Sequence, residues 1–330
     1  MTAPLIVPAG PEAQLGLGMD RDPAAGGMVD HRAVDWRRVR WAGYLLHQRF
    51  HYEYPGPIHD LRQRLVVIPP ERHGNQRLVT HRLEVSSPTT EVRRDQDQWG
   101  NLVLSLALDH VAHAIDFTIW IVVERDTSAG SVVVTPQAHA DPSLLTPTHL
   151  TEADDALRAA AAMFSGQTDP ADHAEGLALA AQVNAWVHTE MSYADGATGV
   201  RTTAAEAFAG RRGICQDYAH IMLTLCRLLG LPCRYVSGHL LGEGGAHAWV
   251  EVVLPEPGSR DRRGRPHRYV AHPFDPTHGS EPGLNYLTVA VGRDYGDVAP
   301  VSGTYRASFG GTLSTRKHAG VTAVEYAPCI

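Results

Sequence analysis

The chain is short of cysteine, of basic charge and of long apolar runs, and each shortage removes a class of protein. Four cysteines in 330 residues are too few for a disulfide framework. They are expected to be reduced, which leaves a thiol free for chemistry. No run approaches the ~20 apolar residues that a membrane helix needs. The first thirty residues lack a basic start followed by an apolar stretch, so no secretory signal is read there. A cytoplasmic location without a membrane partner is the resulting expectation. The formal charge of −7 and isoelectric point near 6.2 speak against a nucleic-acid partner, which needs a basic face or stripe. Histidine is abundant, at 19 residues, but scattered singly. There is no His-Glu-x-x-His, no Cys-x-x-Cys and no Gly-Lys-Ser/Thr, so neither a metal nor another cofactor is expected.

What is present suffices for ordinary cores: 43% hydrophobic and 20% charged residues. The length is a prior for two domains. Residues 1–38 are rich in Pro, Gly, Ala and Asp and read as a disordered extension. Residues 39–126 read as an all-β, sandwich-like domain. Runs such as Leu65-Val66-Val67-Ile68 and Phe117-Thr118-Ile119-Trp120-Ile121-Val122-Val123 alternate with turn signals, including Asp97-Gln98-Trp99-Gly100-Asn101. Residues 127–150 read as a linker. From 151 to 330 an Ala-rich helical stretch gives way to strands, which points to an α+β domain. Thr203-Ala204-Ala205-Glu206 has capping-box spacing. A helix is expected from near Cys215, with Ala219, Met222, Leu223, Cys226 and Leu229 on its apolar positions and Gly230 and Pro232 closing it.

Three residues carry candidate chemistry. Cys215 opens a helix just after Arg211-Arg212, where helix-start amides and nearby cations favour a thiolate. His247 stands between a glycine-rich loop and a β-prone run, placed to take a proton and return it. Asp275, in Phe274-Asp275-Pro276-Thr277, has the chemistry to fix the tautomer of an imidazole. Taken singly, each has a plainer use: a buried thiol, a hydrogen-bonded sheet histidine, and an Asp-Pro turn.

Read together, these segments resemble the bacterial transglutaminase-like superfamily. Gly213-Ile214-Cys215-Gln216-Asp217-Tyr218-Ala219-His220, Ala246-His247-Ala248-Trp249-Val250-Glu251-Val252 and Phe274-Asp275-Pro276-Thr277 are similar to its cysteine, histidine and aspartate segments. Val291-Gly292-Arg293-Asp294-Tyr295-Gly296-Asp297-Val298 and the Trp99-Gly100-Asn101 turn resemble the branch with an N-terminal β domain. The resemblance implies a papain-like core of helices plus antiparallel sheet. It also implies a Cys215–His247–Asp275 triad that attacks a peptide amide, forms a thioester acyl-enzyme and passes the acyl group to water or an amine. Protein or peptide substrates follow. Gln216, Trp249 and Tyr193 are candidate substrate or oxyanion residues. One departure stands out: His272-Pro273 replaces a segment where the family carries Trp, which puts the local strand geometry in question. Two alternatives stay open. One is a non-catalytic binding module that kept the fold; the other is a metal-dependent hydrolase using His247, His272, Asp275 and His278.

Overall fold

Inward–outward alternation recurs through the long strands of the N-terminal half. In the computed structural model, which describes residues 5–7, 28–87, 91–166 and 172–328, strand β1 (Leu5–Val7) precedes β2 (Val39–Glu53), β3 (Ile58–Leu65), β4 (Arg72–His73), β5 (Gln76–Val85), β6 (Glu91–Gln96), β7 (Leu102–Val111) and β8 (Ala114–Asp126). On β2 the alternate residues Tyr44, Leu46, Gln48 and Phe50 are all buried. A short β9 (Val132–Val134) and a single helical turn, α1 (Pro136–His139), follow. Helices α2 (Asp155–Ala162) and α3 (His173–Glu190) come next, then β10 (Ser192–Tyr193), α4 (Ala204–Gly210) and β11 (Arg212–Gly213). The remainder is α5 (Cys215–Leu228), β12 (Cys233–Leu240), β13 (His247–Pro255), β14 (Tyr269–Phe274), β15 (Tyr286–Gly292), α6 (Tyr295–Val298), β16 (Val301–Arg306) and β17 (Thr312–Tyr326).

Two sheets, ordered β1-β5-β8-β2-β17 and β16-β3-β7-β6, face one another across one apolar core. The second unit is a five-stranded sheet, β15-β12-β13-β14-β9, with α3 and α5 packed against it and α2 and α4 against α5. The architecture is therefore α+β with an all-β region in front. Among the described residues no helix is long and apolar enough to cross a membrane.

The chain returns on itself. β16 pairs with β3, and β17 pairs with β2 along most of its length. The topology thus places residues 301–326 in the sandwich rather than in the expected 151–330 unit. Likewise β9, inside the expected linker, adds an edge strand beside β14. Part of the expected disordered extension is ordered: Val29 bridges to Val321, Asp30 caps a helical turn at His31–Ala33, and Val34 is buried. The apolar side chains of Val29, Val34 and Trp36 pack on the sandwich core, which offsets the entropy of ordering that stretch. Residues 1–4 and 8–27 lie outside the described residues.

The local signals around the site are read out as spaced. Thr203 and Glu206 cap one another, with the Thr203 amide donating to Glu206 at 2.8 Å and the Glu206 amide to Thr203 at 3.2 Å. Gly230 takes φ +76° just past α5. The unexpected His272-Pro273 leaves β14 continuous, with Pro273 opposite Glu251 on β13. On the other side β9 pairs only Tyr269 to Ala271, so the missing Pro273 amide is not called on.

The sandwich grips the second sheet at its outer edge. The Gln76 side chain donates to Thr288 O at 2.7 Å and accepts from Thr288 N at 2.9 Å. Asn101 does the same to Val291, at 2.7 and 2.8 Å. Two side-chain amides thus stand in for the missing neighbour strand of β15. Both are buried, at 2% and 1% exposure. Asn101→Ala strips partners from a buried N–H and a buried C=O, so it is expected to cost about 2–4 kcal/mol of stability. Urea unfolding measures this, and an unchanged midpoint would show that the clasp is ornamental.

Candidate active site

Cys215 is the first residue of α5, held by the turn before it. Asp217 Oδ2 accepts from Ile214 N at 2.8 Å and from the Thr198 hydroxyl at 2.6 Å. This needs Gly213: a Cβ there would come within 2.5 Å of Asp217 Oδ2. The sulfur is half-buried, 4.0 Å from Ala246 O, immediately before His247.

His247 opens β13, directly opposite Gly238 on β12. A Cβ on Gly238 would lie 2.4 Å from the Trp249 ring and 2.2 Å from Leu287 O, so only glycine lets the indole sit there. Trp249 is 1% exposed and forms a floor beneath the imidazole, with ring centroids 6.2 Å apart. Trp249, a candidate substrate or oxyanion residue, is thus packed as a core aromatic beside the histidine.

Asp275 follows β14 and is fully buried. Its turn use and its imidazole use coincide. Oδ1 accepts from the amides of Thr277 at 2.9 Å and His278 at 3.3 Å. Oδ2 meets His247 Nε2 at 2.8 Å, His278 Nδ1 at 2.8 Å and the donating Tyr286 hydroxyl at 2.7 Å. With Nε2 engaged, Nδ1 is the ring nitrogen left for a thiol. Glu243 Oε2 stands 3.1 Å from that same Nδ1, and Glu243 Oε1 lies 3.4 Å from His278 Nε2.

Comparison with known proteins fits this arrangement. Residues 44–124 match the bacterial transglutaminase-like N-terminal region, and residues 158–263 match the core of the transglutaminase-like superfamily. Uncharacterized protein ML0607 of Mycobacterium leprae is 30% identical over 290 residues, 82% of this chain and 93% of that one. The chain belongs to the transglutaminase-like superfamily. A further relative, Rv2569c of Mycobacterium tuberculosis, is 32% identical over 128 residues, 36% of this chain and 38% of that one. A solved structure from Cytophaga hutchinsonii, whose name proposes a cysteine protease, has the same fold. It superposes with a TM-score of 0.66 at 20% identity, covering 87% of this chain and 93% of that one.

Within this transglutaminase-like site, charge is unevenly held. Burial opposes a charged His247, but hydrogen bonds to Asp275, Cys215 and Glu243 outweigh it and raise the imidazolium to about 11. Burial likewise opposes the Asp275 carboxylate, yet His247 and His278 hold it well below the ordinary carboxylate range. The hydrogen bond from His247 lowers Glu243, and the one to Asp275 raises His278. Tyr193 is 55% exposed, and β10 pairs it with Gly213 beside the cysteine turn. Its phenol is pushed up to about 12, first by partial burial and then by Cys215, Asp195 and Glu243. Gln216 is 5% exposed, and its Nε2 is buried without a hydrogen-bond partner among the described residues.

Sequence reasoning passed over Glu243 and Tyr286 and weighed His278 only as a metal ligand. The Asp275–His278 spacing of an Asx turn was a usable signal. Nothing local marks Tyr286. Ligand atoms of His247, Asp275 and His278 do lie within 4.8 Å of one another. His272, the fourth ligand imagined for a metal, is elsewhere, its ring centroid 5.1 Å from that of His173.

The folded pKa of His247 lies above the ordinary 6.5. Its contribution to stability is therefore full below pH 6.5, declines above it and is gone once pH passes about 11. Asp275 runs the other way: its contribution is present above the usual carboxylate range and lost in acid. Nitrogen-detected NMR at pH 8 is expected to show His247 with both ring protons, and Asp275→Asn to return its titration toward 6.5. A neutral His247 ring at pH 8 in the unmutated protein contradicts the geometry.

Proposed function

We propose that this protein is a cysteine-nucleophile acyl-transfer enzyme acting on peptide amide bonds, with Cys215, His247 and Asp275 as its triad. The observation that carries the reading is the division of labour on one imidazole. Its Nε2 is bonded at 2.8 Å to a fully buried carboxylate, which leaves Nδ1 for the helix-start cysteine, whose sulfur lies 4.0 Å from the carbonyl oxygen of the residue before His247. Asp275 holds the tautomer and balances the imidazolium; it need not take up a proton itself.

The steps follow from those positions. His247 holds its Nδ1 proton at rest, so the sulfur attacks the carbonyl carbon as the thiolate of a thiolate–imidazolium pair. The oxygen of the tetrahedral adduct takes the negative charge, close to the amides that open α5. On collapse, the C–N bond breaks, the leaving amine collects the proton from Nδ1, and a thioester to Cys215 remains. An acceptor then loses a proton to His247 and attacks the thioester, which frees the thiol. Water as acceptor gives hydrolysis, and a lysine amine gives glutamine–lysine transamidation. Hydrolysis is the leading form of the proposal.

The test is intact-protein mass spectrometry with an activated ester and with glutamine peptides, with and without added amine. A covalent acyl adduct on Cys215 is expected, and Cys215→Ala should remove it. His247→Ala is expected to slow acylation by about 10²–10⁴-fold. A well-folded protein in which Cys215 forms no adduct with any donor, and reacts with iodoacetamide like a free thiol, would reject the proposal.

A further inference from the structure

The glycine-rich loop before His247 carries Glu243, and two imidazoles seat its carboxylate. Glu243 Oε2 stands 3.1 Å from His247 Nδ1, and Oε1 stands 3.4 Å from His278 Nε2. His278 is itself pinned, with its Nδ1 2.8 Å from Asp275 Oδ2. The ring centroids of His247 and His278 are 5.3 Å apart, so one carboxylate spans both. Glu243 differs from Asp275 in access. The Asp275 side chain is fully buried and out of reach of any substrate, whereas 40% of the Glu243 side chain is exposed.

What passes this carboxylate follows from the reaction. His247 Nδ1 hands its proton to the leaving nitrogen, and such a transfer needs hydrogen-bond reach, about 2.6–3.2 Å. The leaving nitrogen therefore comes within about 6 Å of the present position of Oε2. Rotation about the glutamate side-chain bonds covers the remainder. A peptide nitrogen brings one hydrogen of its own and gains a second from Nδ1. Within the triad that first hydrogen has no acceptor, because Asp275 is buried behind the imidazole. A leaving ester oxygen brings no hydrogen at all. An ionised carboxylate is an acceptor only, and the hydrogen bond from His247 holds Glu243 below its ordinary range, which keeps it ionised.

We propose that Glu243 is a further catalytic residue, which accepts the N–H that an amine leaving group or an amine acceptor carries besides the proton exchanged with Nδ1. This rests on the acyl-transfer reading above and adds a preference for nitrogen over oxygen on the leaving side. As the tetrahedral adduct collapses, a lone pair on its oxygen re-forms the C=O. The C–N bonding pair passes to nitrogen, and nitrogen takes the proton from Nδ1. The amine departs neutral and His247 is left neutral. Glu243 takes up no proton; it exchanges the hydrogen bond from Nδ1 for one from the nitrogen. Run backwards, the same step has an incoming amine give one hydrogen to Nδ1 and direct another at Glu243. His278 is the positioning residue that keeps the second carboxylate oxygen at the cleft.

The test forms the acyl-enzyme from the p-nitrophenyl ester of N-acetylglycine and lets methylamine and methanol compete for it. Mass spectrometry counts the two products, with Cys215→Ala protein as the blank. Glu243→Ala is expected to lower the ratio of N-methylamide to methyl ester about tenfold, the low end of what a hydrogen bond to a charged group contributes. Glu243→Gln, which keeps a neutral acceptor, is expected in between. A second arm compares the p-nitroanilide and the p-nitrophenyl ester of the same acyl group as donors. Here Glu243→Ala is expected to lower kcat/KM for the anilide about tenfold more than for the ester, mainly through kcat. If the anilide is not cleaved, the acceptor arm decides alone. An unchanged product ratio, or no N-methylamide above the blank from the unmutated protein, overturns the inference while acyl transfer stands; Glu243 then only positions His247. If the ester does not acylate Cys215, the acyl-transfer reading fails and this inference falls with it.

Discussion

One oxygen atom, Asp275 Oδ2, organises the site. It receives His247, His278 and Tyr286, all within 2.8 Å, in a position with no solvent exposure. A carboxylate in that position persists only if its lone pairs are filled and a cation stands beside it. Removing a partner from such a group costs about 3–5 kcal/mol. The requirement fixes three separate pieces of chain at once. The end of β14 must present the carboxylate, the start of β13 must present the imidazole, and the start of β15 must bring the phenol. Once these are met, His247 cannot rotate without breaking its bond, and Nδ1 is aimed by default.

That constraint reaches into the β sandwich. β15 is an edge strand of its sheet, and an uncovered edge leaves backbone groups without partners. Gln76 and Asn101 supply those partners, and Arg125 donates to the carbonyl oxygens of Gly283 and Tyr286, each at 2.6 Å. The residue whose backbone Arg125 holds is thus the residue whose hydroxyl holds Asp275. The sandwich acts as scaffold for the buried carboxylate through a chain of direct contacts.

The parts that could be read from sequence share a physical cause. Cys215, His247 and Asp275 sit in runs whose local pattern is strong: a capped helix start, a β-prone stretch after glycines, and an Asx turn. The structure brings His247 and Asp275 into contact and sets Cys215 at the carbonyl that precedes His247. Local pattern says nothing about partners distant in sequence. Tyr286 carries no local mark, and its role depends on a neighbour eleven positions earlier across a turn. β17 was missed because residues 312–316 are all exposed, so no apolar alternation announces a strand. Its hydrogen bonds to β2 form all the same, because backbone pairing needs no side-chain pattern. The burial of Trp249 was illegible for another reason. Its position beside His247 was legible, but its burial depends on Gly238 of another strand, whose lack of a side chain admits the ring.

Two carboxylates compete for one imidazolium, and their surroundings decide which holds. Asp275 is 2.8 Å from Nε2 with no side-chain exposure; Glu243 is 3.1 Å from Nδ1 with 40% of its side chain exposed. A pair open to water is worth about 0–1 kcal/mol, because solvent and salt screen it. Breaking the buried pair costs several times more. Glu243 is therefore the partner that yields when the Cys215 sulfur accepts the Nδ1–H, and Asp275 the one that stays. The glycines around Glu243 agree with this. Gly242 sits at φ +92°, and a Cβ built on Gly244 or Gly245 would meet nothing within 4 Å. A carboxylate on such a loop can stabilise the imidazolium while the cleft is empty and withdraw at small cost. The ring then keeps its charge and its aim, both set by the buried side of the pair.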